Sequence, residues 1–523
     1  MARDRLAEVM VDWEAVIGLE IHTELTTVNT KMFCGCPVAF GGEPNTRTCP
    51  VCLGLPGALP VPSQIAIEHT VLAGLATECQ IAHWSQFHRK QYFYPDMPKD
   101  FQISQYDLPF CADGFVNVEV DGPLAAERID LPDSPEGVSA MAEGDGYVTR
   151  IGITRIHLEE DTGKMIHVGG SEGRISGATK SLIDFNRAGT PLIELVSEPD
   201  IRTPEEARRF AQKLRLIWLS LGISDCSMEE GSMRVDANVS VRPRGETELG
   251  TKAEIKNMNS FKAMHDGLAY EIVRQVELIE GGGKVVQETR HYDVAAKATS
   301  SLRGKEEAHD YRYFPEPDMV PFEFTDEFID EIRRRLPELP DAKRSRFMAD
   351  FGLRAHDAVV LSSDLELAEF FEAAVTIAGS ERAKAISNVI LNDLSAYLNA
   401  EGISVMESRI VPGMVAELVV LVEDGTISSK QAKEVFAEMA ASGDAPGAIV
   451  EIKGLRQVSD TAEIETIVDS VIAANPGQVA DYRSGKLGLL GFFVGQVMRE
   501  TGGQASPAVV NEVLKRKLEG EGS

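Results

Sequence analysis

Leu182-Ile183-Asp184-Phe185-Asn186-Arg187-Ala188-Gly189-Thr190-Pro191-Leu192-Ile193-Glu194-Leu195 places one carboxylate, Glu194, inside the apolar run 192–196. An ionised acid there is costly unless it is paired or binds a metal. A buried ion pair, with Arg187 as one partner, is the structural alternative to a ligand role. Outward from this stretch, Glu20 and His22 stand two apart in residues 16–25, and Glu159-Glu160-Asp161 form an acidic triplet. Acids and a histidine drawn from three segments suggest a site for Mg²⁺ and ATP.

The flanking segments read as strands. In residues 16–25, Gly18, Glu20, His22 and Glu24 share one face, and Ile17, Leu19, Ile21 and Leu25 the other. Both Glu20 and His22 could therefore reach one ion, although a merely polar strand face fits the pair equally well. Residues 233–241 alternate more cleanly, Met233, Val235, Ala237, Val239 and Val241 against Arg234, Asp236, Asn238 and Ser240. Half-polar strands suit antiparallel sheets with one face on a core and one on a cleft. Around the acidic triplet, parity groups Glu159 with Arg155 and His157, and Glu160 with Ile156 and Leu158. Parity alone favours Glu159 as the polar-face residue.

Between these strands the spacing predicts a helix. Thr203 caps it, Pro204 opens it, Glu206 makes a capping box and Gly222 ends it. Residues 14 to about 300 thus read as mixed strand and helix. After Ser300 the character changes. Residues 311–321 hold Pro315, Pro317 and Pro321 and read as an extended linker. Helical periodicity then dominates, with a second helical unit from about residue 410. There Ser428 and Gln431 form a capping box. The glycine-rich stretch 484–495 precedes a last helix ending in Lys515-Arg516-Lys517. The division expected is 1–300, 301–410 and 411–523.

Cys34-Gly35-Cys36 and Cys49-Pro50-Val51-Cys52 make a CxC and a CxxC separated by twelve residues. Four thiolates so spaced can enclose a tetrahedral zinc, and with no open position the metal would be structural. Cys79, Cys111 and Cys226 read as small buried apolar residues. The stretch 89–105 interleaves Lys90, Tyr92, Tyr94 and Lys99, a pattern able to stack on a base or cradle phosphate. Glu254 and Lys256 share a strand face, where an ordinary cross-strand ion pair is the simpler reading.

Composition narrows the classes. The chain has 523 residues, 43% hydrophobic, and a formal net charge of −30. That charge argues against a generic nucleic-acid coat, since such binding neutralises phosphates. It leaves room for a shape-matched RNA contact. The N-terminus leads into no apolar signal region, and no apolar run reaches membrane-spanning length, so a cytoplasmic protein without membrane partners is expected. There is no GxxxxGK[ST] loop, so an ATP site would not be of the P-loop kind. No GxSxG elbow appears, Thr299-Ser300-Ser301 lacks a glycine-rich amidase surround, and no cysteine follows Met1. This chain is not expected to release its own ammonia.

Several separated motifs resemble the GatB family of tRNA-dependent amidotransferases. They are Gly18-Leu19-Glu20-Ile21-His22, Tyr92-Phe93-Tyr94-Pro95-Asp96, His157-Leu158-Glu159-Glu160-Asp161, Lys256-Asn257-Met258-Asn259-Ser260-Phe261 and Tyr311-Arg312-Tyr313-Phe314-Pro315-Glu316-Pro317. The pattern 183–195 and the tail Gly491-Phe492-Phe493-Val494-Gly495-Gln496-Val497-Met498 are similar to the family's as well. One departure is Asp100-Phe101, where the family would have Gly-Tyr. The resemblance implies an α+β fold, a largely antiparallel cradle domain followed by a helical domain and a helical tail that contacts tRNA. It implies that the side-chain carboxylate of Glu-tRNA(Gln) or Asp-tRNA(Asn) is phosphorylated by ATP and amidated by ammonia. The ammonia would come from an amidase-family A subunit, braced by a small C subunit. It carries over His22, Glu160 and Glu194 as Mg²⁺ ligands with Glu20 beside them, choosing Glu160 where parity chose Glu159. Lys90, Tyr92, Lys99, Asp184, Asn186, Arg187 and Lys256 are expected to bind the nucleotide. A non-catalytic tRNA scaffold and a free-ammonia ligase for a small acid are the rival classes. The desolvation cost of Glu194 speaks against the first, and the helical tail against the second.

Overall fold

Alternation over residues 16–25 becomes the central strand, Trp13–Glu24, of a nine-stranded sheet in a computed structural model that describes residues 2–120, 146–169, 177–304, 310–456, 461–501, 505 and 507–519. Among the described residues the strand order is Ala298–Gly304, Glu288–Asp293, Ala253–Lys256, Met233–Pro243, Trp13–Glu24, Pro191–Ser197, Tyr147–Glu160, Cys111–Val120 and Gln80–Ile81. Every neighbouring pair is antiparallel except Ala253–Lys256 with Glu288–Asp293, so the sheet is mixed but largely antiparallel. The fold is α+β with helical C-terminal parts, as expected.

One face of this sheet is a core. Ile17, Leu19, Ile21, Ile156, Leu158, Ile193, Leu195 and Val235 are all nearly or fully buried there. The helices Gln64–Ala76, Pro204–Leu221 and Phe261–Glu280 contribute the apolar residues that cover them. Gly74 lets the first helix approach the strand at Cys111, because a Cβ there would lie 2.4 Å from the Cys111 sulfur. The helix over residues 204–221 forms as its punctuation predicts. Thr203 Oγ1 accepts from Glu206 N at 3.0 Å, and Gly222 closes it in the left-handed region at φ +66°. Its box is shifted by one residue: Glu206 accepts from Arg202 N at 2.7 Å and from the Tyr147 hydroxyl at 2.6 Å.

The opposite face is polar and holds Glu20, His22, Glu24, Glu194, His157, Glu159, Arg234, Asp236 and Lys256. The register puts them there: His22 stands opposite Glu194 and Arg234, and Glu194 opposite His157. Residues directly opposite across an antiparallel pair project to the same side.

The chain divides into Met1–Pro340 and Asp341–Ser523. The first unit continues past residue 300 because residues 311–321 are not a free linker. Phe314–Pro315 pairs with His88–Gln91, and the buried Glu316 carboxylate takes two hydrogen bonds of 2.7 Å from Arg89. Phe324, Ile329 and Ile332 then join the first core. In the second unit one apolar cluster runs from Phe347 to Val450, taking residues from both sides of 410, and another from Ile464 to Leu518. The Ser428–Gln431 box forms, whereas much of the glycine-rich stretch 484–495 is the start of the helix Leu490–Glu500. Among the described residues no helix is long and apolar enough to cross a membrane.

Candidate active site

Three side chains in one row across three strands form the centre of the polar face. His22 Nε2 lies 3.2 Å and His157 Nε2 3.4 Å from the same Glu194 oxygen, Oε2. Glu20 flanks the row on one side, 3.7 Å from His22, and Glu159 on the other, 3.6 Å from His157 and 4.0 Å from His22. Ser104 donates to Glu159 Oε2 at 2.8 Å and fixes its rotamer. Two donor sets overlap here, Glu20–His22–Glu194 and His157–Glu159–Glu194, each with ligand atoms within 4.8 Å of one another.

The electrostatics follow from burial. Burial raises the Glu194 carboxyl, but the imidazoles of His157 and His22 outweigh it and hold the group well below the usual carboxylate range. Burial lowers His157, yet Glu194 and Glu159 push it up to about 9. His22 is raised in the same way, against its own desolvation, by Glu194, Glu159 and Glu20. Burial and the Glu194 charge raise Glu20. The arrangement is a negative pocket tied together by two imidazoles, and it fits a divalent cation. Among the described residues His157 Nδ1 is buried and meets no hydrogen-bond partner, so the contacts of the ring to Glu194 and Glu159 run through Nε2.

Glu160 is not part of this cluster. It ends the strand on the core side, pairs with Lys99 and accepts from Ile103 N at 3.0 Å. Glu160, expected beside His22 and Glu194, stands away from them: parity persists to the end of the strand, and the neighbour on the cluster side is Glu159. Glu194 likewise does not pair with Arg187. Arg187 donates to the Thr162 and Gly163 carbonyls at 3.0 and 3.1 Å and approaches Asp161 at 3.6 Å.

The other expected residues fall into two groups. Lys90 keeps its charge against desolvation through the nearby charges of Glu159 and Glu194, with the Tyr311 ring 5.0 Å away. Lys256 lies farther along the cradle and pairs with Asp236 and Glu254. Tyr92 stands at the rim, 5.7 Å from Tyr94 between ring centres. Lys99 lines a small cavity of about 170 Å³ beside Lys31 and Cys52. Asp184 and Asn186, by contrast, brace a loop. Asp184 accepts from Asn45 N at 2.9 Å, and Asn186 accepts from Arg47 N and donates to the Glu43 carbonyl, both at 2.7 Å.

That loop carries the cysteines. Cys34, Cys36, Cys49 and Cys52 bring their sulfurs within 4.8 Å of one another, four donors of the kind that structural zinc takes. The Cys34 hydrogen bond, opposed by burial and helped by Cys49 N and Lys31, holds Cys52 below the usual thiol range. Lys31 Nζ lies 3.6 Å from the Cys52 sulfur and 3.0 Å from the Phe185 carbonyl, which ties the loop to the segment leading to Glu194.

Sequence reasoning did not assign His157 or Arg234 to the site, and Asp161 entered only as a member of the acidic triplet. Arg234 donates to Asp161 at 2.8 Å beside the cluster. His157 had a visible signal, its shared parity with Glu159; its position against Glu194 depends on a strand pairing that no local pattern encodes.

Residues 15–330 match the family model described as the GatB/GatE catalytic domain, and residues 369–518 match a second, described as a GatB domain. The chain is 51% identical over 509 residues to the GatB-type subunit of the aspartyl/glutamyl-tRNA(Asn/Gln) amidotransferase of Carboxydothermus hydrogenoformans, covering 97% of this chain and 99% of that protein. It is 51% identical to the corresponding amidotransferase subunits of Geotalea daltonii and Geobacter sulfurreducens, each comparison covering 98% of this chain and 100% of the relative. With both domain models matched in order and relatives of this similarity along nearly its whole length, the chain belongs to the GatB family of amidotransferase subunits.

Proposed function

We propose that this chain carries out the ATP-dependent amidation step on misacylated tRNA in the cytoplasm, converting Glu-tRNA(Gln), Asp-tRNA(Asn) or both. The single observation that carries the reading is the buried cluster of Glu20, His22, His157, Glu159 and Glu194 on the cradle face of the matched catalytic domain. Glu20, His22 and Glu194 would hold Mg²⁺, with Glu159 in the place first expected for Glu160. When bound, the ion and ATP supply a phosphoryl group and neutralise charge as it passes to the substrate's side-chain carboxylate. Lys90 presents a fixed positive charge on the same side, suited to the transferring oxygens. His157 and Ser104 keep Glu194 and Glu159 in place. Ammonia then displaces phosphate from the activated acyl group.

Lacking a recognisable amide-hydrolysing nucleophile, the chain would receive ammonia from an amidase-family A subunit, with a small C subunit completing a heterotrimer. The four cysteines would hold one structural zinc. Lys256, Arg187, Lys99 and Tyr92 would serve nucleotide binding; Asp184 and Asn186 would contribute only through the loop they brace. The test is transamidation with purified chain, ATP, Mg²⁺, free ammonia and each misacylated tRNA in turn. Amide formation accompanied by ADP and phosphate is expected with at least one tRNA. Absence of amidation with both, in chain that binds its partners, would overturn the proposal.

A further inference from the structure

Lys31 is a lysine enclosed by protein, with 1% of its surface exposed. A buried ammonium is costly unless a counter-charge faces it. Among the described residues Lys31 forms no ion pair with a carboxylate. Its nitrogen meets the Cys52 sulfur at 3.6 Å and the Phe185 carbonyl at 3.0 Å. The negative charge that faces it is therefore a thiolate of the cysteine loop. The Cys34 hydrogen bond, the Cys49 N–H and the Lys31 charge together keep that sulfur ionised against its burial. Four thiolates leave surplus negative charge around one zinc, and outer partners that offset it strengthen the metal's binding. Among the described residues no other side-chain cation bonds one of the four sulfurs.

Lys31 also stands where the strands of the acid cluster meet the cysteine loop. The strand Trp13–Glu24 carries His22, and the chain leaving it reaches Lys31. The strand Pro191–Ser197 carries Glu194, and the chain entering it comes from Phe185. These two segments stay joined beyond the sheet. Leu25 N donates to the Pro191 carbonyl at 2.9 Å, and Met32 N to the Gly189 carbonyl at 2.7 Å. On the far side Gly189 N donates to the Asp161 carbonyl at 2.9 Å, which reaches the strand of His157 and Glu159. Lys31 N itself donates to the Cys36 carbonyl at 2.9 Å. The joint is tight at Gly189, where φ is +88° and a Cβ would lie 3.4 Å from Lys31 Cδ and 3.7 Å from Cys52 Cβ. Contiguous bonded segments of this kind can carry energetic coupling between sites.

We infer that Lys31 is a positioning residue that couples the two metal sites, so that zinc in the cysteine loop and the divalent cation in the acid cluster strengthen each other's binding. The inference rests on the reading above, in which the cysteines hold zinc and the acids hold the cation. With the four cysteines held together, Cys52 fixes Lys31, and Lys31 fixes the Phe185 carbonyl at the head of the segment that delivers Glu194 to His22. Without zinc the cysteines are free to separate, Lys31 loses its fixed counter-charge, and Glu194 is held less firmly. Linkage is reciprocal, so a cation that orders Glu194 against His22 must tighten zinc by the same factor.

The test uses the assembled enzyme, wild type and Lys31→Met, which keeps side-chain length and removes the charge. Zinc affinity, measured by competition with a chromogenic chelator, should fall about tenfold in the variant. In cobalt-substituted enzyme the thiolate-to-metal absorption band should shift, because the ammonium no longer bonds a ligating sulfur; a lysine that merely filled space would leave the band in place. In wild type, saturating Mg²⁺ should raise zinc affinity about fivefold, and zinc removal should weaken binding of Mn²⁺, followed by electron paramagnetic resonance, by the same factor. In Lys31→Met both effects should vanish. The wild-type pair of measurements needs no variant, so it decides even where Lys31→Met fails to assemble. Unchanged zinc affinity with an unshifted cobalt band removes Lys31 from the zinc centre, and zinc affinity indifferent to Mg²⁺ makes the two sites independent; either overturns the inference. A wild-type enzyme that binds no zinc, or amidates no tRNA, refutes the underlying reading and the inference with it, a result distinct from two occupied but uncoupled sites.

Discussion

Replacing the Glu194 carboxylate by an amide preserves volume and removes one charge. Two imidazoles contact that carboxylate through one oxygen, so the change leaves His22 and His157 without their common partner. Glu194→Gln is expected to lower amidation by at least about a hundredfold, the scale seen when one preorganised charge contact in a water-poor site is lost. Glutamine hydrolysis by the partner should persist. Near-normal amidation would make Glu194 a structural residue. Glu159→Gln should resemble Glu194→Gln, whereas Glu160→Gln should act through Lys99 and the Ile103 backbone and cost less. Much of this was legible at the residue scale: period-two alternation put Glu20, His22 and Glu159 on one polar face. What alternation could not supply was which strands lie side by side, and hence that Glu194 meets both histidines. Asp100 is a second legible case. It occupies the position where the resemblance led to an expectation of glycine, and its backbone sits at φ +63°, where glycine is unstrained.

At the scale of elements, the cysteine loop and the segment 182–195 act as one piece. Asp184 and Asn186, expected from the family resemblance to bind the nucleotide, hydrogen-bond backbone groups at residues 43–47, and Lys31 bridges Cys52 to Phe185. A short polar side chain that satisfies loop backbone leaves the same motif signature as one that touches a ligand, which is why sequence could not separate the two. The purified chain should contain about one zinc per molecule, and Cys49→Ser should lower both zinc content and melting temperature. Asn186→Ala should cost about 1–3 kcal/mol of loop stability through its two lost partners and speed zinc release to a chelator. Full zinc retention and an unchanged melting temperature in Asn186→Ala would show that the brace is dispensable. The crossing segment 311–321 carries the same lesson. Three prolines suggested a linker, but Glu316 is buried against Arg89, a pairing 227 residues apart in sequence that no local window reveals.

For the whole molecule, the question is how an acidic chain engages tRNA. The basic triplet at its end offers little help, since Arg516 pairs with Glu465 and Lys517 with Asp469 within the last apolar cluster's own helices. Recognition by the tail would then rest on shape more than on charge. The cores decide where a deletion is informative. A cut at residue 410 removes Met414, Val415, Leu418, Val435 and Phe436 from the cluster that begins at Phe347. Each large-to-nothing loss is worth about 2–5 kcal/mol against a domain stability of about 5–15 kcal/mol, so residues 341–410 should unfold. A cut after residue 456 leaves that cluster whole and removes only the one from Ile464 to Leu518. The protein spanning 1–456 should keep a cooperative melting transition and bind its partners, while its affinity for tRNA and its rate of transamidation fall and glutamine hydrolysis continues. If 1–456 folds and binds tRNA as tightly as the full chain, the last helices are structural, and the grip on tRNA lies in the first unit or in the cluster from Phe347 to Val450.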